Sequence, residues 1–243
     1  MRLFLYLHTN RMCGRFTLAK HPREISERFR ISIPDELTTP VQSALPVFNA
    51  APGQRLPLVT QKDPDQLSMA QWGIPAPWKT RGGQLVINAR SETLASKKMF
   101  SGLLAGGRCL VPADGFYEWQ KQQGKKLPLR FVLEDDGIFA FAGLWGFFPV
   151  DGREEIPAFT ILTTTANALV SDIHDRMPVI LAGEMEQAWL SGSLSEDDMN
   201  NILQPFPAGQ MRSYKVSPGV NKVTVNHSGL IEPWKDNTLT LDL

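Results

Sequence analysis

The chain has 243 residues, 42% of them hydrophobic, and its 25 Lys plus Arg balance its 25 Asp plus Glu. That is enough apolar material for one large core, and a formal charge of zero excludes a global field drawing the protein to nucleic acid or membrane. Any polyanion contact then needs a local cluster of basic side chains.

Two cysteines, Cys13 and Cys109, fit a reducing compartment rather than a disulfide scaffold. Four histidines without C-x-x-C or H-x-x-x-H spacing predict no metal and no cofactor. The opening Met1–Arg11 stretch carries Arg2 and an apolar run about half as long as a signal-peptide core, with no small-residue cleavage site. No segment approaches the ~20 apolar residues of a membrane span, so a cytoplasmic protein without membrane contact is expected.

Glycine (19) and proline (18) are scattered along the chain and cut it into short elements. A helix is expected over Pro22–Arg30, where Ile25 and Phe29 lie four apart on one face, and another over Ser91–Leu104. Strand-length segments bounded by turn signals follow at Leu127–Leu133, Ile138–Leu144, Ala158–Thr163 and Met177–Leu181. Two more helices are expected at Glu184–Leu190 and Ser195–Leu203, the second opening on a serine cap and an acidic first turn, before a last strand at Met211–Val216. There is no regular β-α-β alternation, no G-x-G-x-x-G and no P-loop, which argues against a nucleotide-binding doubly wound sheet. The expectation is a single α+β domain built on antiparallel strands, barrel-like, with several short helices.

Four stretches are more polar and aromatic than strands and turns require: Met12-Cys13-Gly14-Arg15-Phe16, Ile87-Asn88-Ala89-Arg90-Ser91-Glu92-Thr93, Ala113-Asp114-Gly115-Phe116-Tyr117-Glu118-Trp119 and Asp172-Ile173-His174-Asp175-Arg176-Met177-Pro178. They supply a thiol, an amide, a carboxylate and an imidazole. Each alone has an ordinary reading: Glu118 as a strand carboxylate paired with Lys121, His174 and Asn88 as turn residues. Cys109, set in Arg108-Cys109-Leu110-Val111, reads as a buried, inert thiol outside any site.

Taken together and in this order, with Phe48-Asn49-Ala50-Ala51-Pro52-Gly53 and Trp72-Gly73-Ile74-Pro75-Ala76-Pro77-Trp78, these motifs resemble the SRAP family, the SOS-response-associated peptidase or abasic-site processing proteins, from Cys13 to about Pro218. The resemblance implies that loss of Met12 exposes Cys13 as the first residue. Residues 1–11 are then an upstream extension, from a start codon placed too early or a segment removed by proteolysis, and 12–243 the SRAP domain. It further implies a DNA-damage protein that meets abasic sites in single-stranded DNA. The protein is expected to be monomeric and nucleoid-associated when bound, with replication-fork proteins as further partners.

An abasic deoxyribose is a cyclic hemiacetal in equilibrium with a scarce open aldehyde. A terminal cysteine offers that electrophile a 1,2-aminothiol: the amine forms an imine and the thiol closes onto it as a thiazolidine, which an internal cysteine, lacking a free amine, cannot do. Ordinary pKa values of about 7.7–8.0 for the amine and about 8.5 for the thiol put both nucleophiles within reach of neutral pH. Glu118 is the expected proton shuttle, desolvated by Phe116, Tyr117 and Trp119, and the resemblance implies that it serves both crosslink formation and reversal. His174 is expected to hydrogen-bond the opened sugar, and Asn88 to orient the sugar or the terminal amine.

For DNA binding, Arg15 and Arg90 are the candidate phosphate forks and Trp78 and Trp119 the candidate stacking surfaces. Lys98 stands where the family is expected to offer arginine, and Asn49 is counted with the DNA-contacting residues. Two other activities remain open at this stage. One is a cysteine peptidase or autoprotease, with Cys13 as nucleophile, His174 as base and Glu118 or Asp175 as orienter; the other is a non-covalent single-strand binding module. A lyase side reaction, by β-elimination from the imine, is chemically open as well.

Overall fold

The computed structural model describes residues 14–76, 85–122, 124–150, 155–181, 183–192 and 194–235. In chain order the elements begin with β1 (Phe16–Leu18), α1 (Pro22–Phe29), α2 (Asp35–Ala44), β2 (Val47–Ala50), β3 (Arg55–Thr60), β4 (Leu67–Trp72) and β5 (Ile74–Pro75). They continue through β6 (Leu85–Val86), β7 (Asn88–Arg90), α3 (Lys98–Gly106), β8 (Arg108–Ala113), β9 (Gly115–Gln122), β10 (Lys125–Leu133), β11 (Phe139–Pro149) and β12 (Glu155–Thr165). The remainder holds α4 (Ala168–Ser171), β13 (Arg176–Pro178), β14 (Ile180–Leu181), α5 (Gly183–Leu190), α6 (Glu196–Ile202) and β15 (Met211–Lys215).

Five strands close into a barrel. β3 pairs antiparallel with β4 and β8, β8 with β11, and β11 with β12, and a parallel contact between β12 and β4 shuts the ring. A second, antiparallel sheet runs β15-β10-β9-β1-β2. This is the α+β, barrel-like architecture expected from the sequence.

The second sheet lays one face on the barrel core. Side chains alternate along a strand, so Phe16, Phe116 and Phe131 point inward together. Phe116 stacks on Phe131 with centroids 5.0 Å apart, and Phe16 meets Trp72 edge-on at 5.1 Å. Burial of each such ring contributes up to about 3 kcal/mol. The other face carries Tyr117, which joins Val216, Val220 and Leu230 in a smaller cluster beneath the C-terminal loops. Gly115 is needed where the two sheets meet: a Cβ there would come within 2.7 Å of the Arg130 Nε.

Helix α1 forms where expected, opened by a His21–Glu24 capping box and closed by Arg30 in the left-handed region. Ser195 and Asp198 likewise cap α6 reciprocally. The expected Ser91–Leu104 helix divides instead into a 3-10 turn at Ser91–Thr93 and α3, which starts at Lys98 without a side-chain cap. The cause is local competition for the backbone, since the Thr93 hydroxyl donates to the Arg90 carbonyl and the Ser96 hydroxyl to that of Thr93. The expected strand at Met177–Leu181 is split between β13 and β14, which pair with β12 and β11 respectively. Helix α2, with Pro40 inside it, was not anticipated.

Candidate functional site

Gly14 and Arg15 lead into β1, where Phe16 pairs with Phe116 and Thr17 with Gly115. The Tyr117 amide donates to the Arg15 carbonyl at 3.0 Å. Carried back two places, the same register sets Gly14 abreast of Glu118 on β9. Gly14 and Arg15 also line a cleft of about 1020 Å³, whose other walls include Gln54 and Arg55 after the Gly53 turn, Ile87, and the Asn221–Asn226 loop. Cys13 and Trp78 lie outside the described residues.

Glu118 is 4% exposed. It pairs with Leu129 on β10 and, by strand alternation, shares the inner face with Phe116. Tyr117 and Trp119 therefore point to the opposite side of the sheet, which corrects the expectation that three aromatics surround the carboxylate. Tyr117 donates its hydroxyl to the Phe48 carbonyl at 2.8 Å, and burial pushes that phenol well above its ordinary pKa. Trp119 packs on the outer cluster and donates its indole N–H to Asn221 Oδ1 at 2.7 Å, so the half-buried ring braces the cleft loop.

Asn49 also turns inward. It is 1% exposed, its amide nitrogen donates to the carbonyls of Val220, Lys222 and Val225, and its oxygen accepts from Arg15 at 2.7 Å. With no accessible surface to offer a strand, its part is to tie the 220–225 loop to β2, a correction to its expected DNA contact. Arg15 shares in that scaffold through a second bond, from Nη1 to the Val220 carbonyl at 2.8 Å.

Asn88 and Arg90 sit on β7, which pairs in parallel with β12 so that Asn88 meets Ile161 and Arg90 meets Thr163. With Lys97 and Lys98 they line a second depression, of about 400 Å³. Ile87 lines the first cleft and Asn88 the second depression, so this segment is the ridge between them.

His174 follows α4 in a loop anchored by its own amide to the Val170 carbonyl. The Arg176 amide donates to His174 Nδ1 at 3.0 Å. An Nδ1 that accepts carries no proton, so the neutral ring holds its hydrogen on Nε2. Asp175 Oδ1 also lies 3.0 Å from Nδ1, which would be an ion pair only with a charged ring. The backbone donor sets the tautomer, because Asp175 is 84% exposed and its attraction is screened by solvent.

Sequence reading missed the pair that joins these segments. Arg176, on β13, grips the Glu92 carboxylate with both terminal nitrogens and also reaches the Thr163 carbonyl. Hydrogen bonding by the Arg176 guanidinium holds the Glu92 carboxyl below the usual carboxylate range. β7 and β13 both pair with the end of β12, and the Glu92–Arg176 bridge ties Asn88 and Arg90 on one side to His174 on the other. Cys109 is fully buried with its thiol pushed up by burial, in keeping with an inert role. Among the described residues no group of three or more His, Cys, Asp or Glu is placed to hold a metal ion.

The barrel with its flanking sheet, and a cleft with Gly14 on its wall, define a class before they define a family. The family model described as SOS response associated peptidase (SRAP) matches residues 12–223. The chain belongs to the SRAP family. It is 39% identical to the abasic site processing protein YoqW of Bacillus subtilis, over 91% of this chain and 99% of that one. It is 31% identical to the abasic site processing protein YedK of Escherichia coli, over 91% of this chain and 100% of that one. A crystal structure of a protein from Bacteroides thetaiotaomicron superposes with a TM-score of 0.82 at 26% identity, covering 92% of this chain and all 100% of the other.

Proposed function

We propose that the chain processes abasic sites in single-stranded DNA and captures them covalently through Cys13, exposed as the first residue once Met12 and the segment before it are gone. The observation that carries the reading is the position of Gly14. Joined directly to Cys13 in the chain, it lines the cleft and lies abreast of the buried Glu118.

In the proposed reaction the open-chain sugar presents its C1′ aldehyde to the terminal amine. Nitrogen adds to carbon, the carbinolamine loses water to give an imine, and the Cys13 thiolate adds to the imine carbon while the nitrogen takes a proton. The net change is loss of one water and closure of a five-membered ring. Glu118 relays the protons of ring opening and dehydration, its buried setting keeping bulk water from competing. His174, with hydrogen on Nε2, donates to the sugar oxygen released on opening, and Asn88 orients the sugar from the ridge. Arg90 and Lys98 meet phosphates, Arg15 braces the cleft loop through Asn49 and the Val220 carbonyl, and Trp78 is the stacking surface. Ring closure competes with β-elimination from the imine, so strand breakage is a minor outcome.

Incubation with abasic and undamaged single strands, read on a denaturing gel, tests this. An adduct is expected with the abasic strand alone and none with Cys13→Ser. Glu118→Gln should slow formation or reversal at least tenfold, within the range of lost acid–base catalysis. A Cys13→Ser protein that crosslinks like the parent would reject the assignment.

A further inference from the structure

The two depressions that flank Asn88 differ from the rest of this neutral chain. The described lining of the large cleft contains two cations, Arg15 and Arg55, and no carboxylate. Arg15 is engaged as a strut, with Nη1 bonded to Asn49 and to the Val220 carbonyl. Arg55 opens β3 two residues after Gly53, whose φ of +89° makes the turn that brings the strand to the cleft wall. Its side chain is exposed, it makes a long 3.4 Å donation to the Met69 carbonyl, and it joins no ion pair among the described residues.

We infer that Arg55 binds a backbone phosphate of the single strand held in this cleft, an inference that rests on the DNA-binding part of the reading above. A guanidinium presents a planar fork that matches two phosphate oxygens, and the described lining of the wall, which contains no carboxylate, offers it no competing anion. Such a contact positions the strand without reading its sequence. It adds to the grip at Arg90 and Lys98 on the other side of the ridge, so the strand is held on both sides of the sugar that meets Asn88.

The test measures affinity for a fluorescent undamaged oligonucleotide across a salt series, with full-length protein. For a single strand each phosphate contact contributes about 0.7 to the slope of log affinity against log salt, so Arg55→Gln should lower the slope by roughly that amount and weaken binding several-fold. Arg55→Lys should restore most of the slope. An Arg55→Gln protein with parental affinity and slope would overturn the inference. Adduct yield on a saturating abasic strand separates this from the covalent reading: Arg55→Gln should crosslink as fully as the parent. Should the parent form no adduct while the slope still falls, the covalent chemistry fails and the Arg55 contact stands.

Discussion

Two regions hold a buried or half-buried arginine on the outer face of the same sheet, and their surroundings differ in one respect. At the depression lined by Lys20, Asp114, Arg130, Asp136, Arg212 and Glu232, cations and carboxylates are mixed. Arg130 donates to Asp114, to the Thr17 hydroxyl and to the Tyr214 hydroxyl. Burial there lowers the arginine pKa, but Asp114 and Tyr214 outweigh it and the net shift is upward. At the cleft, Arg15 is matched by an amide and a carbonyl, and the described wall has no carboxylate. A chain with no net charge thus makes a positive groove by sorting its charges, not by adding cations.

Breaking the self-neutralised region should have the largest effect. Arg130→Met strands the 3%-exposed Asp114 carboxylate, and a loss of about 3–5 kcal/mol in urea unfolding is expected, with strand affinity per folded molecule unchanged. Placing an acid in the sorted region should do the reverse. Thr224→Asp, on the exposed cleft loop, should leave the melting temperature within about a degree and weaken binding of an undamaged strand by roughly 1 kcal/mol in low salt.

A smaller effect is expected at the bridge between the two motif segments. Arg176 lowers the folded-state pKa of Glu92, so its stabilising contribution is complete above the ordinary carboxylate value of about 4.3 and disappears as pH falls through the lower folded value. Because the Glu92 side chain is 49% exposed, the gap between parent and Glu92→Gln at neutral pH should be about 1 kcal/mol or less, closing in unfolding curves below about pH 4. The smallest effect sharpens the comparison: Asp136→Asn removes a negative charge from the mixed depression and should not change strand binding.

The sequence made some parts of this molecule legible and left others dark for physical reasons. Helices α1 and α6 were readable because capping residues and periodicity are local signals. The 91–104 segment was misread because its serine and threonine hydroxyls bond the backbone, a choice the apolar pattern does not record. Barrel closure through the parallel β12–β4 contact depends on residues far apart in the chain, such as Phe159 and Trp72. At the site, the motifs exposed Glu118, His174 and Asn88 as candidates. The opposite facing of Trp119 follows only once β9 is known to be a strand. Glu92 and Arg176 were both inside quoted motifs, yet 84 positions of separation hid their contact. Arg55 has no motif at all, and only the cleft gives it meaning.

Intact-mass measurement of the purified adduct tests the central claim most directly. The account predicts a polypeptide beginning at Cys13, joined to the abasic strand with loss of one water. A crosslinked species that still carries Met12 and the residues before it would show that no free aminothiol was present, and the proposed ring could not be its linkage.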